Sequence, residues 1–272
     1  MTPQEQERWT ELLQQAISEP GRIAAAYSAF HGYSLGNQLL ALMECLSRDI
    51  EPGPIATYRK WQERGRQVRK GEKAITLCMP RSYKRTEVDD ETGEKVERSW
   101  MRFIFKAQWF VLSQTDGDDW EPQPVGDWSP ERALEGLSIT RVPFAHLDGN
   151  VQGYATMQHE VAVSPVAGNP VKTLLHEMAH VVLKHVDEHD MEDGEHLERG
   201  LREVEAESVA YLCLDALGLP GAEDARGYIQ HWWQSLGGRP DAEIPETAAH
   251  RIISAANAIL TAGREVPAGE EA

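Results

Sequence analysis

Val171-Lys172-Thr173-Leu174-Leu175-His176-Glu177-Met178-Ala179-His180-Val181-Val182-Leu183-Lys184-His185 is the stretch from which the rest of the chain is read. Val171, Leu174, Leu175, Met178, Val182 and Leu183 recur at helical spacing and form a stripe that buries one side of a helix. Asn169 suits an N-cap and Pro170 the first helical position, so the helix has a marked start. At 3.6 residues per turn, His176 and His180 stand about 40° apart on one face, and both imidazoles can reach one point. A zinc ion suits that point. Glu177 follows the first histidine, where its carboxylate faces the open side of the metal and can polarise a water.

H-E-x-x-H also arises by chance in helices, so a third ligand decides. His185, His189 and His196 follow in an acidic loop, and Glu203, Glu205 and Glu207 in a helical segment over residues 202–217. The metzincin pattern is excluded, because Leu183 and Val186 stand where it places Gly and His. A glutamate from the following helix, completing two His and one Glu, fits better. Glu203 and Glu207 are four apart and share a face, whereas Glu205 falls roughly opposite. Glu203 is therefore expected as the ligand. Glu207 is expected to accept the free ring N–H of a ligand histidine, and Glu205 to be a solvated acid.

A length of 272 residues suits two domains. No apolar run approaches the roughly 18 residues of a membrane span, and the N-terminus lacks a basic-then-apolar signal. A soluble, cytoplasmic protein without a membrane partner is expected. Cys45, Cys78 and Cys213 are odd in number and set among apolar residues, so they read as buried free thiols.

The net charge of −17 is unevenly spread. Residues 1–115 hold 17 Lys and Arg against 15 Asp and Glu, and the remainder 10 against 29. Within residues 58–85, ten basic residues face only Glu63 and Glu72. Helical patterns cover residues 3–18, 22–30 and 35–46, and Thr57 can cap a short helix through Trp61. Strands are expected at 66–69 and 74–79 about the turn Lys70-Gly71-Glu72, which puts the charge peak on a hairpin. A turn signal at 91–95 and a strand over 100–112 complete a small α+β domain. Arg59, Arg64, Arg66, Arg69, Lys70 and Lys73 offer phosphate contacts and Trp61 a stacking face, the means of binding single-stranded DNA without sequence readout. The bland alternative is a solvated basic face over core aromatics.

Pro122, Pro124 and Pro130 among acidic residues mark a linker. A short helix from Ser129-Pro130 and strands over 139–145, 153–157 and 160–163 then lead into the H-E-x-x-H helix. In such a layout an edge strand can hold an extended peptide beside the metal. The boundaries expected are a DNA-binding domain at 1–115, a linker at 116–130, a metallopeptidase domain at 131–263 and an acidic tail at 264–272.

Phe30-His31-Gly32-Tyr33-Ser34-Leu35-Gly36-Asn37-Gln38-Leu39-Leu40, then Trp61, then Gly65-Arg66-Gln67-Val68-Arg69-Lys70-Gly71-Glu72-Lys73-Ala74-Ile75, resembles the N-terminal domain of ArdC-type antirestriction proteins. H-E-x-x-H followed by Glu203-Val204-Glu205-Ala206-Glu207 resembles their zincin-like domain and that of ImmA/IrrE-type metallopeptidases. The resemblance implies an α+β protein of two domains: a helical and β-hairpin domain that binds single-stranded DNA, and a zincin-like domain of small sheet and helix bundle. It implies one zinc on His176, His180 and Glu203, and protection of mobile DNA. Three functions stay open: a zinc endopeptidase of unknown protein substrate tethered to single-stranded DNA, a non-proteolytic DNA-protecting protein with a structural or vestigial zinc, and a DNA-damage-responsive regulator protease.

Overall fold

The computed structural model describes residues 3–88, 95–121, 124–145, 151–186, 195–227, 229 and 246–265. In chain order the elements are α1 (Pro3–Ser18), α2 (Arg22–Phe30), α3 (Leu35–Ser47), β1 (Ile55–Thr57), α4 (Tyr58–Glu63), β2 (Arg66–Val68), β3 (Ile75–Val88), β4 (Lys95–Val111) and β5 (Thr115–Gly117). There follow α5 (Pro130–Gly136), β6 (Thr140–Arg141), β7 (Gly153–Ala155), β8 (Glu160–Val163), α6 (Pro170–Val182), α7 (Glu195–Ala216) and α8 (Glu246–Gly263). Residues 222–227 are also helical. Among the described residues three small sheets have the orders β1-β4-β3, β2-β5 and β6-β8-β7. The mixed α and β composition expected from the sequence is present.

The chain forms two compact units, residues 1–5 with 40–122 and residues 6–39 with 123–272. This differs from a first domain over 1–115, because α2 and the start of α3 are capped from the C-terminal half. Asp215 of α7 accepts from the backbone N–H of Gly21 at 3.1 Å, Ile23 at 3.1 Å and Ala24 at 3.4 Å. A carboxylate thereby satisfies orphan donors at the N-terminus of α2, where Gly21 (φ 76) has no side chain to do so. Asn257 of α8 likewise accepts the Leu35 N–H at 2.8 Å.

Within the expected linker the unit boundary falls after Pro122. Its second half is packed, not extended: Trp128 pairs with Arg264, the Glu265 N–H donates to the Asp127 carbonyl at 2.8 Å, and the Trp128 indole donates to the Ile259 carbonyl at 3.3 Å. Residues 264 and 265 of the expected tail are therefore part of the fold.

In the unit over residues 40–122, β3 and β4 form a long antiparallel hairpin from Ile75↔Trp109 to Val88↔Lys95. β1 pairs only with its inner end, at Thr57↔Trp109 to Ile55↔Val111. Beyond that, among the described residues, the hairpin has no third strand within this sheet. The turn signal at 91–95 falls largely outside the described residues. The expected hairpin about residues 70–72 is not formed: β2 pairs antiparallel with β5, through Val68↔Thr115 and Arg66↔Gly117. The core explains this, since Val68 packs with Ala56, Trp61, Phe110, Leu112 and Trp120 in a cluster that β2 must cover.

Cys45 and Cys213 are buried and Cys78 is half-buried; all three are free thiols. Among the described residues no helix is long and apolar enough to cross a membrane.

Candidate metal centre

α6 starts where its signals place it. Asn169 Oδ1 accepts the Lys172 N–H at 3.0 Å and Pro170 occupies the first turn. Leu174, Leu175, Met178, Ala179 and Val181 are buried, while Val171 of the expected stripe is exposed at the open end. α6 packs along α7, and β7 and β8 pack on α6. Because α7 is buried at every position from Val204 to Leu214, it is a central helix with no solvent face over that span.

The packing brings His176, His180 and Glu203 together. His176 Nε2 lies 3.1 Å from His180 Nε2 and 3.3 Å from a Glu203 oxygen, and His180 Nε2 lies 3.7 Å from the other. Donors sharing a tetrahedral metal at about 2.0–2.1 Å stand about 3.3 Å apart, so the set fits one divalent cation. The ring nitrogens behind are occupied. His176 Nδ1 faces Glu207 at 3.1 Å, and Lys172 Nζ lies 2.6 Å from the second Glu207 oxygen.

His180 Nδ1 meets His185 Nδ1 at 3.0 Å, and His185 Nε2 meets Glu205 at 2.9 Å. The end of α6 places His185 there. The His185 N–H donates to the His180 carbonyl at 2.8 Å and the Lys184 N–H to the Val181 carbonyl at 3.0 Å, a Schellman motif with Lys184 left-handed at φ 62. The residue beyond that turn folds back over the third residue from the helix end, which is His180. Glu205 is 2% exposed and bonded to His185, which corrects the expectation of a solvated acid. The helical period was sound, but the side away from Glu203 faces protein. Among the described buried polar atoms, Glu205 Oε1 and Ser208 Oγ lack a hydrogen-bond partner.

Burial works against charge on His176, yet the carboxylates of Glu203 and Glu207 outweigh it and hold its pKa at about 9. Hydrogen bonding to His176, then to His180, holds Glu203 well below the usual carboxylate range. Glu207 also lies below its ordinary value, its burial being outweighed by bonds from His176 and Lys172. Burial chiefly lowers His185 and raises Glu177. Glu177 opens on a cleft of about 580 Å³, with Gln152, Gly153, Asn169, Thr173 and Asp224 among its walls. At Gly153 a Cβ would stand 2.8 Å from Glu177 Oε1 and 2.6 Å from Thr173 Cγ2, so β7 passes against the carboxylate as only glycine allows.

Tyr211 is core, its hydroxyl 3.4 Å from the Ala16 carbonyl, and the Tyr154 hydroxyl donates to the Pro143 carbonyl at 3.4 Å. His189 lies outside the described residues, and His196 falls in the first turn of α7.

The residues proposed for DNA scatter in role. Trp61 is 0% exposed and its indole donates to the Phe110 carbonyl at 2.8 Å, so it offers no stacking face, which corrects that expectation. Arg66 donates to Thr115 Oγ1 at 2.8 Å and to the Thr115 carbonyl at 3.1 Å, clamping β5. Arg64 lies 4.4 Å over the Trp120 ring. Arg59 pairs with Glu63 at 2.9 Å and Arg69 with Glu72 at 2.9 Å. Lys70 and Lys73 are exposed, with no ion pair among the described residues.

Residues 4–110 match the N-terminal domain of anti-restriction factor ArdC. No curated protein matches the chain. Among solved structures, the antirestriction protein ArdC from plasmid R388 is similar in its metal-free form, with a TM-score of 0.51 at 18% identity over 94% of this chain and 97% of that chain. Its Mn(II)-bound form is similar with a TM-score of 0.50 at 17% identity over the same shares. Residues 4–110 are thus similar to the ArdC N-terminal domain and the chain has an ArdC-like fold over nearly all its length, as the resemblance of its motifs implied.

Proposed function

We propose that this protein is an ArdC-type antirestriction protein in which a metal-dependent, zincin-like endopeptidase is joined to a single-stranded-DNA-binding domain and protects mobile DNA. The observation that carries the proposal is the convergence of His176, His180 and Glu203, with Glu177 beside them on an open cleft. A divalent cation held by those three residues supplies Lewis-acid polarisation of water and of a peptide carbonyl. Two imidazoles and a carboxylate favour zinc, and the Mn(II)-bound ArdC of plasmid R388 supports a divalent ion.

The chain's own residues do the rest. Glu177 accepts the proton of the attacking water and returns it to the leaving amine, and burial raises its carboxyl above the ordinary value. Glu207 orients His176. β7 is an edge of its sheet and touches Glu177 through Gly153, so an extended peptide added to that edge lies beside the carboxylate. A purely structural zinc takes four closed ligands and has no use for Glu177, which weighs against the non-proteolytic alternative.

Metal analysis of the purified full chain, with cleavage assays on DNA-bound proteins, tests the proposal. About one divalent ion per chain is expected, lost in His180→Ala, and Glu177→Gln should keep the metal while abolishing cleavage. Glu177→Gln cleaving as fast as the parent overturns the peptidase. Full DNA protection by that variant leaves the non-proteolytic reading.

A further inference from the structure

We infer that the two-stranded part of the β3–β4 hairpin is a platform for an unpaired nucleic-acid strand, with Tyr83 and Trp100 stacking on bases and Arg81 and Arg102 meeting phosphates. This rests on the DNA-binding part of the proposed function and gives it a place that Trp61 does not supply. Arg81↔Arg102 and Tyr83↔Trp100 are directly paired and two residues apart along each strand, so all four side chains share one face. The rings stack on each other at 5.9 Å and 15°, and Trp100 is 48% exposed. Arg81 lies 5.4 Å over the Tyr83 ring.

Two arginines directly opposite each other destabilise a ladder, and a tryptophan on a ribbon that has no third strand among the described residues keeps its outer face open to water. Both features become favourable once a polyanion carrying flat bases lies over the face. In a chain of net charge −17, the register places Arg85 and Lys106 on this face beside Arg81 and Arg102, with no acidic side chain among the described ones there. Charge therefore selects a nucleic acid for this face, and stacking selects one whose bases are unpaired. The opposite face carries Met101 and Phe103, exposed and apolar, which makes a protein partner the rival.

The experiment is fluorescence titration of the full-length protein with a labelled oligo-dT strand over a range of salt. Trp100→Ala should weaken binding about 5- to 150-fold, the range for loss of one stacked base, with Trp100→Phe recovering most of it. Arg81→Ala with Arg102→Ala should lower the salt slope by about 1.4, two single-strand phosphate contacts. Met101→Ala should change nothing. All these side chains are exposed, so unchanged melting is expected and separates binding from folding. If the parent binds single strands and the variants bind equally well, the platform is wrong while the DNA reading stands. If the parent binds no single strand, the DNA reading itself fails. Variants that alter association with protein but not affinity for the strand make the hairpin a protein-binding arm and overturn the inference.

Discussion

The Nδ1 atoms of His180 and His185 stand 3.0 Å apart, so one donates and the other accepts. His185 Nε2 faces a Glu205 oxygen at 2.9 Å, and a proton there satisfies the carboxylate. His185, neutral, then accepts at Nδ1, and His180 donates from its own Nδ1. The lone pair of His180 Nε2 is thereby turned towards Glu203 and His176. Glu207 does the same for His176.

Replacing His185 by Phe keeps a ring under His180 but removes the acceptor. Divalent-metal affinity should fall by roughly 10- to 100-fold, the range for losing a ligand's orienting partner, with the helical circular dichroism unchanged. Competition against a chromophoric chelator reads this directly. Affinity equal to the parent's means that packing alone orients His180.

Gly153→Ala tests the approach of β7 to Glu177. The new methyl meets Glu177 Oε1 at 2.8 Å, Thr173 Cγ2 at 2.6 Å and the Ala162 carbonyl at 3.0 Å, so the carboxylate must move. Displacement by about 1 Å costs on the order of 100-fold in turnover, whereas His176, His180 and Glu203 are untouched. Metal content at parental level with cleavage down about 100-fold is the expected pair of results. Loss of metal would mean that β7 supports the ligands and not Glu177.

The pH dependence of the chelator-treated protein follows from the same cluster. His176 is raised from 6.5 to about 9, so its stabilising contribution is complete below pH 6.5 and is lost as pH rises through about 9. Glu203 is lowered from 4.5, so its contribution is present above that value and is lost as pH falls below it. His176 and Glu203 together stabilise most between pH 4.5 and 6.5. Melting temperature should decline from pH 6.5 to 9.5, and His176→Asn should flatten that decline.

The H-E-x-x-H helix was legible because every signal for it is local: a cap at Asn169, a proline at 170, an apolar stripe, and two histidines at a spacing that shares a face. Glu203 and Glu207 were legible through the same period. His185 was not, because it is placed by a left-handed turn at Lys184, where glycine would have announced a Schellman end and lysine does not. Glu205 was misjudged because a period tells which side of α7 a residue faces, not whether protein covers that side. Strand pairing failed for a related reason. The turn at Lys70-Gly71-Glu72 is real, but the partner of β2 is chosen by the core around Trp61, built from segments nearly 50 residues apart. The capping of α2 and α3 by Asp215 and Asn257 is more distant still, so the unit boundary left no local mark.

Trp61 separates a core role from a DNA role. Its ring packs edge-on to Trp120 at 5.5 Å, and its N–H fills the Phe110 carbonyl. Trp61→Phe should keep most of the packing and lose one buried hydrogen bond, about 1–3 kcal/mol. Trp61→Ala should cost about 3–5 kcal/mol by emptying the cluster that β2, α4 and β4 share. Amide hydrogen exchange of the full chain is the direct readout, with faster exchange at Phe110 and Val111 of β4 in both variants. Affinity of Trp61→Phe for an oligo-dT strand should equal the parent's, since a residue with no exposed surface has no face to offer a base. A drop in that affinity with β4 exchange unchanged would return Trp61 to the binding surface.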